Sequence, residues 1–104
     1  MYVIVWEFTV RPEQREAFER GYGSDGDWAR FFQRDESFRG VELWRGGELD
    51  DPEWDRYLTV DRWASVEAYE AFRERTDAEY QEMDNRFLDL CETETMLGIF
   101  EVVD

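Results

Sequence analysis

The stretch Tyr2–Val10, YVIVWEFTV, decides the fold because it is a strand pattern with apolar residues on both faces. β-branched and aromatic side chains dominate it, which is typical of a strand. Alternation divides it into two faces, Tyr2, Ile4, Trp6 and Phe8 against Val3, Val5, Glu7 and Thr9. If helices cover only one face of a sheet, the other face is left to water. We therefore expect a second copy of the chain to cover that face, as a homodimer.

The remaining segments predict the order strand, helix, strand, strand, helix, strand. Pro12 suits the first turn of a helix that follows the first strand. Segments 38–46 and 54–63 are two strand patterns joined by the polar loop GGELDDPE. Ser65 is a good N-cap for a helix to about Leu90, with a break near residues 84–85, and segment 93–103 closes the chain as a strand. This is the ferredoxin-like βαββαβ plan of the α+β class, with an antiparallel sheet and one domain over residues 1–104.

The stretch GYGSDG, residues 21–26, matches the spacing of a dinucleotide-binding glycine loop. It follows a helix pattern, however, whereas the nucleotide loop follows a strand. We therefore expect Gly21 or Gly23 to end the first helix in a left-handed cap and Asp27 to cap the next one. That short helix would turn Trp28 and Phe32 toward a pocket.

Composition excludes several classes of function. The 104-residue chain has a net charge of −15, from 27 acidic residues and 12 basic residues that are all arginine. Such a surface repels nucleic acid and anionic membranes, so neither is an expected partner. An acidic surface without lysine fits a protein adapted to high salt, or an ordinary acidic protein from an arginine-biased genome.

The absence of histidine and the single cysteine narrow the chemistry further. Without histidine there is no conventional serine or cysteine triad, and Cys91 alone forms neither a disulfide within the chain nor a thiolate zinc cluster. We therefore expect no metal site. The sequence has no signal-peptide or membrane-span pattern, and with Cys91 as a buried thiol we expect a reducing, cytoplasmic location.

Three segments of the chain carry a resemblance to a known protein family: VIVWEFTVRPEQREAFERGYGSDGDWARFF, LTVDRWASVEAYEAFRER and LGIFEV. In these the sequence resembles the antibiotic biosynthesis monooxygenases, which are small dimeric α+β barrels. The resemblance implies ferredoxin-like subunits, dimerisation through the sheets and a pocket between sheet and helices. It also implies a small apolar or aromatic molecule as the ligand.

One branch of that family degrades haem, using an asparagine, a tryptophan and a haem-ligating histidine. The corresponding positions here are Glu7, Phe72 and Glu82, and all three depart from the pattern. Haem degradation is therefore disfavoured, because the usual imidazole ligand is missing. The other branch oxidises polycyclic phenols with O₂ and no cofactor. The resemblance to that branch implies a cofactor-independent monooxygenase.

Such an oxygenase needs a base and a group that holds the resulting anion. Glu7, within the most apolar strand, is the predicted base, and Arg56 or Arg62 is the predicted anion-holding residue. The alternative is that Glu7 forms a structural ion pair with one of these arginines. Six aromatic residues are candidates to line the substrate pocket, although each is equally suited to the core: Trp28, Phe32, Tyr57, Trp63, Tyr69 and Phe72. Two other functions remain open, a non-catalytic module that binds a small ligand and an isomerase that moves a proton.

Overall fold

The fold is a four-stranded antiparallel sheet with helices, seen in a computed structural model that describes residues 1–47 and 53–103. The strands are β1 (Tyr2–Val10), β2 (Phe38–Arg45), β3 (Asp55–Trp63) and β4 (Thr93–Glu101). Their order across the sheet is β2-β3-β1-β4. The predicted ferredoxin-like βαββαβ order is confirmed. Most of the predicted loop GGELDDPE lies outside the described residues.

Within the described residues, four helices and two short 3₁₀ turns connect the strands. The turn Pro12–Gln14 leads into α1 (Arg15–Tyr22), and α2 (Asp27–Phe32) follows it. After β3 come α3 (Val66–Arg75), α4 (Asp77–Phe87) and the turn Leu88–Leu90. Ser65 caps α3 as predicted, because its hydroxyl accepts a hydrogen bond of 3.2 Å from the backbone N–H of Ala68.

The register of the sheet fixes which side chains share a face. Ile4 of β1 lies opposite Asp61 of β3, and Trp6 lies opposite Thr59. On β4, Ile99 lies opposite Ile4. Because side chains alternate along each strand, these residues all point to the face that the helices cover, the helix face of the sheet.

The core lies between the helix face and the helices. Ile4, Phe8 and Val10 of β1 are at most 2% exposed there, and Phe18 of α1 is fully buried. The rings of Phe18 and Tyr22 stack with centroids 4.2 Å apart. Most residues of the main cluster are aromatic, which explains how a chain with 38% charged residues retains a packed interior.

The glycine loop departs from the predicted cap. Gly23 ends α1 with extended backbone, φ −71° and ψ 174°, so the prediction of a left-handed cap was wrong. Its glycines allow close packing instead. A Cβ on Gly26 would lie 2.6 Å from the carbonyl oxygen of Arg20, and one on Gly21 would lie 2.7 Å from the ring of Phe87. Gly26, rather than Asp27, occupies the N-cap position of α2.

The second helical region breaks earlier than predicted. The interruption falls at Thr76, between α3 and α4, and not at residues 84–85. Thr76 is buried, and its hydroxyl donates a 2.7 Å hydrogen bond to the carbonyl oxygen of Phe72. A threonine hydroxyl that bonds back to the preceding turn competes with the backbone pattern and bends a helix.

The opposite face of the sheet, which we call the open face, carries no packed helix among the described residues. Val3 and Val60 lie there and are outside the main core cluster. The edge strand β4 is exposed along its length. Its large apolar residues, and those that follow it, are each 44% exposed or more: Met96, Leu97, Ile99, Phe100, Val102 and Val103. Phe100 is on the open face, opposite Val3.

Candidate functional site

A pocket lies between the helix face of the sheet and helices α1, α2 and α4. Its volume is about 40 Å³, and it is open to solvent on one side. Since one water molecule needs roughly 10–15 Å³ measured in this way, the space holds a few waters or one edge of an aromatic ring. The lining residues come from all four strands and three helices: Trp6, Phe8, Tyr22, Trp28, Phe32, Val41, Thr59, Asp61, Tyr80, Asp84 and Glu94.

Asp61 is the most unusual residue of this pocket. It is a half-buried carboxyl group on β3, and burial raises its pKa to about 7. The structure shows no hydrogen bond or ion pair from its side chain to any residue in the described ranges. Desolvation disfavours the ionised form of such a group, so it exchanges a proton near neutral pH. This is the property that a general base requires.

Trp28 supplies a hydrogen-bond donor to the same pocket. Its side chain is 7% exposed, and the indole Nε1 is a buried atom without a hydrogen-bond partner among the residues described. Burial raises the pKa of the Tyr22 hydroxyl and the nearby indole N–H group of Trp28 lowers it, although the geometry of the two groups falls short of a hydrogen bond. Buried N–H groups are almost always satisfied by protein, water or ligand. An acceptor atom of a bound molecule is therefore the expected partner of this N–H group.

Tyr80 forms one wall of the pocket and separates it from a positive charge. The guanidinium carbon of Arg73 lies 3.4 Å from the centroid of the Tyr80 ring. Arg73 does not line the pocket; its buried Nη1 has only a 3.9 Å ion pair with Asp77 and no hydrogen-bond partner in the described part of the chain. Burial is the main cause that raises the pKa of the Tyr80 hydroxyl, which stays protonated and able to donate.

Two further carboxyl groups, Asp84 of α4 and Glu94 of β4, line the same pocket. Both also line a neighbouring cavity of about 70 Å³ that contains Cys91. Burial, followed by the negative charge of Asp84, raises the pKa of the Glu94 carboxyl. The two side chains are therefore close enough to interact.

The predicted base and anion-holding residues lie on the other side of the sheet. Glu7 pairs with Leu58, and Arg56 with Thr9, which places both on the open face. The Glu7 carboxylate accepts hydrogen bonds of 3.1 and 2.8 Å from Nε and Nη2 of Arg56. Arg62 is also on the open face and forms a 2.9 Å ion pair with Glu42. The structure thus shows the structural ion pair that was the alternative for Glu7, and a catalytic role for these three residues stays a prediction.

The six predicted pocket aromatics divide into two groups. Trp28 and Phe32 line the pocket, whereas the other four do not: Tyr57, Trp63, Tyr69 and Phe72. Tyr57 is buried and donates a 2.5 Å hydrogen bond to Glu19. Trp63 is fully buried, and its ring packs 5.4 Å from that of Phe32. These four belong to the core and its edge.

Sequence reasoning did not find Asp61, although one signal pointed to it. Counting back in twos from the apolar Trp63 places Asp61 on the face that β3 turns to the core. Burying a carboxyl group at an inward position of a strand costs folding free energy, so a carboxyl group found there indicates a function. For Asp84 and Glu94 no comparable signal exists, because acidic residues are common throughout this chain.

Comparison with known proteins identifies the family. The family model described as antibiotic biosynthesis monooxygenase matches residues 1–83. The chain belongs to the antibiotic biosynthesis monooxygenase family. The resemblance on which the sequence prediction rested is therefore confirmed. A comparison with curated proteins finds no match.

Solved structures show the same fold at low sequence identity. One is a mutant of SnoaB, a cofactor-independent oxygenase from Streptomyces nogalater, with 21% identity and a TM-score of 0.69 over 99% of this chain and 93% of that one. A protein from Deinococcus radiodurans, named for the same family, has 10% identity and a TM-score of 0.71 over 100% and 94%. A third, from Bacillus cereus, has 16% identity and a TM-score of 0.60 over 99% and 93%. At these identities the likeness is one of fold.

Three other observations concern the potential metal ligands, the thiol and the helices of this monooxygenase-family chain. Among residues 1–47 and 53–103, no group of three or more potential ligands is placed to hold a metal ion. Burial, with the nearby charge of Glu94 next, raises the pKa of the Cys91 thiol to about 11, which leaves it protonated and weakly nucleophilic. No described helix is long and apolar enough to cross a membrane.

Proposed function

We propose that this family member is a cofactor-independent monooxygenase that oxidises a small phenolic aromatic compound with O₂. The observation that carries the proposal is Asp61, a carboxyl group with a pKa of about 7 in an aromatic pocket. Asp61 takes the proton of the phenolic hydroxyl. The Trp28 N–H group then donates to the phenolate oxygen, and the charge of Arg73 behind Tyr80 stabilises the anion.

The oxidation then proceeds without a bound metal or flavin. The phenolate transfers one electron to O₂, and the resulting radical pair combines to form a hydroperoxide at a ring carbon. Loss of water from that hydroperoxide gives the quinone, so one oxygen atom enters the product and the other leaves as water. The protein contributes the base, the donors and a pocket that excludes water from the anion.

The size of the pocket limits how the substrate binds. Because the cavity is about 40 Å³, only the hydroxyl-bearing edge of a ring enters it. The remainder of the molecule lies in the open mouth. The same observation supports the second candidate, a protein whose pocket is largely filled by its own aromatic side chains and which binds a ligand without turnover.

The test is aerobic incubation of the full chain with naphthol or anthrone. We expect oxygen uptake together with a new quinone absorbance, with one molecule of O₂ consumed for each molecule of quinone formed. If deuterium from solvent enters the ring but no oxygen is consumed, Asp61 works as the base of an isomerase. If a ligand raises the melting temperature with neither reaction, the protein is a binding module.

The pH dependence gives a separate expectation. Because Asp61 acts as a base with a pKa of about 7, the rate should rise about tenfold per pH unit below that value and level off above it. A pH profile of kcat/KM measures this. A rate that is constant between pH values well below and well above 7 would contradict the assignment.

Whereas the rate should rise with pH, the stability of the folded protein should fall. The folded chain retains the Asp61 proton up to about pH 7, whereas the unfolded chain releases it near 3.8. Between these values the folded state binds more protons, so the free energy of unfolding falls as pH rises and is lowest above 7. A shift of three pKa units corresponds to roughly 4 kcal/mol of unfolding free energy. Asp61→Asn removes the ionisable group, and because the side chain is partly exposed to solvent we expect it to stabilise the protein above pH 7 by only part of that, on the order of 2 kcal/mol. Urea unfolding of both proteins across this pH range tests it.

We also propose that the working form is a homodimer in which each copy covers the open face and β4 of the other. The apolar residues exposed on β4 support this, since monomeric proteins rarely leave so many in one continuous strand. The edge of β4 that faces away from β1 is also unpaired within the described sheet. The free thiol of Cys91 fits a reducing compartment such as the cytoplasm.

A further inference from the structure

The ionisable side chains described in the lining of the pocket are acidic or neutral, and none is basic. Its carboxyl groups come from three different elements: Asp61 of β3, Asp84 of α4 and Glu94 of β4. The other titratable lining groups are Tyr22 of α1 and Tyr80 of α4, whose pKa values burial raises, so both are neutral. No arginine is among the lining residues described, and Arg73 contacts the Tyr80 ring without lining the space itself.

Asp84 and Glu94 lie where this pocket meets the neighbouring cavity. The two spaces share three lining residues, Tyr22, Asp84 and Glu94. Asp61 lines only the first of them. A ligand whose hydroxyl group reaches Asp61, and whose remainder lies in the open mouth, is therefore close to the carboxyl groups of Asp84 and Glu94.

An independent observation points to a ligand in this pocket. Trp28 lines it, is more than nine-tenths buried and has an indole N–H group without a hydrogen-bond partner among the described residues. That donor is available to an acceptor atom inside the pocket. A hydroxyl or phenolate oxygen placed beside Asp61 supplies one.

We propose that Asp84 and Glu94 select the substrate by charge, so that the pocket accepts aromatic hydroxyl compounds bearing a cationic group at the end away from the hydroxyl. Neutral compounds bind more weakly, and compounds with a carboxylate at that end are rejected. Opposite charges attract strongly at such a partly desolvated site, and like charges are left without a counterion there. The inference rests on the proposed function only for the orientation of the hydroxyl group.

The test compares three probes that share one ring system: naphthol, aminomethyl-naphthol and hydroxynaphthoate. Equilibrium dialysis with the full chain, at a pH above the pKa of Asp61, measures the dissociation constant of each. For the wild-type chain we expect aminomethyl-naphthol to bind about tenfold more tightly than naphthol, and hydroxynaphthoate about tenfold more weakly. Equal binding of the three probes, or no binding of any, would overturn the inference.

A pair of double variants separates the local effect from the general negative field of the chain. Asp84→Asn with Glu94→Gln removes two charges from the pocket, and Glu74→Gln with Asp89→Asn removes two from exposed positions outside it. We expect the first pair to bring the three dissociation constants within about threefold of one another and the second to leave their ratios unchanged. If both pairs change the ratios equally, selection comes from net charge and the inference is wrong.

The binding experiment also distinguishes a failure of the charge selection from a failure of the proposed oxidation. Charge-ranked binding without oxygen uptake would leave the selection in place and overturn the monooxygenase. Oxygen-dependent turnover of all three probes with equal affinity would do the reverse.

Discussion

Replacing Asp61 by asparagine is expected to lower the rate of oxygen-dependent turnover by roughly 10²–10⁴-fold, the usual contribution of a general base. Asparagine has nearly the same shape as aspartate but cannot accept the phenolic proton. The loss should appear mainly in kcat, because the aromatic walls that bind the substrate remain in place. The variant should also be more stable than the wild-type protein above pH 7. A gain in stability together with a loss of activity distinguishes removal of a base from misfolding.

Glu7→Gln is the matched comparison for that experiment. Glu7 is the base that the strand pattern suggested, but its carboxylate is bound to Arg56 on the open face, away from the pocket. We expect turnover in this variant to remain within about threefold of wild type, whereas stability falls slightly with the loss of a part-exposed ion pair. If Glu7→Gln abolishes turnover while Asp61→Asn retains it, the base is Glu7 and not Asp61.

Replacing Phe100 by aspartate is expected to convert the proposed homodimer to a monomer. Phe100 is 53% exposed on the open face and lies over Gly98, where a Cβ would be 2.9 Å from its ring. Burying a carboxylate without a partner in an apolar interface costs several kcal/mol, so the dissociation constant should rise by roughly 10²-fold or more. Analytical ultracentrifugation over a range of protein concentrations measures it.

Leu88→Asp provides the control for the dimer experiment. Leu88 is 66% exposed in the short turn after α4 and does not belong to the sheet. The same new charge at this position should leave the dimer intact. A wild-type chain that sediments at its monomer mass of 12.6 kDa at every concentration would refute the homodimer itself.

The fold was predictable because it depends on local patterns that repeat along the chain. The strand of Tyr2–Val10 was predicted at the bounds observed, and Ser65 was predicted as the cap of α3. The errors concern single residues at the ends of helices. Thr76 breaks the second helical region through a hydrogen bond to Phe72, and nothing in the spacing of apolar residues reveals that bond.

The candidate site was predictable only in part, because it depends on contacts between distant segments. Trp28 and Phe32 line the pocket, as their helical spacing and the preceding turn suggested, and their role in binding a substrate stays a prediction. The base was sought on the most apolar strand, and Glu7 was chosen without knowledge of its neighbours. Its partner Arg56 lies 49 residues away in sequence, and only strand pairing brings the two together.

The sequence by itself determined the class of fold, the acidic character of the surface and the absence of histidine chemistry. Each of these follows from local periodicity or composition. Only the tertiary structure decided that three carboxyl groups share one pocket with Trp28, namely those of Asp61, Asp84 and Glu94. It also decided that Glu7 lies on the open face of the sheet. The physical reason is that strand register and helix packing choose which of two faces each side chain occupies. The burial that raises the pKa of Asp61 likewise arises only when the helices cover its strand.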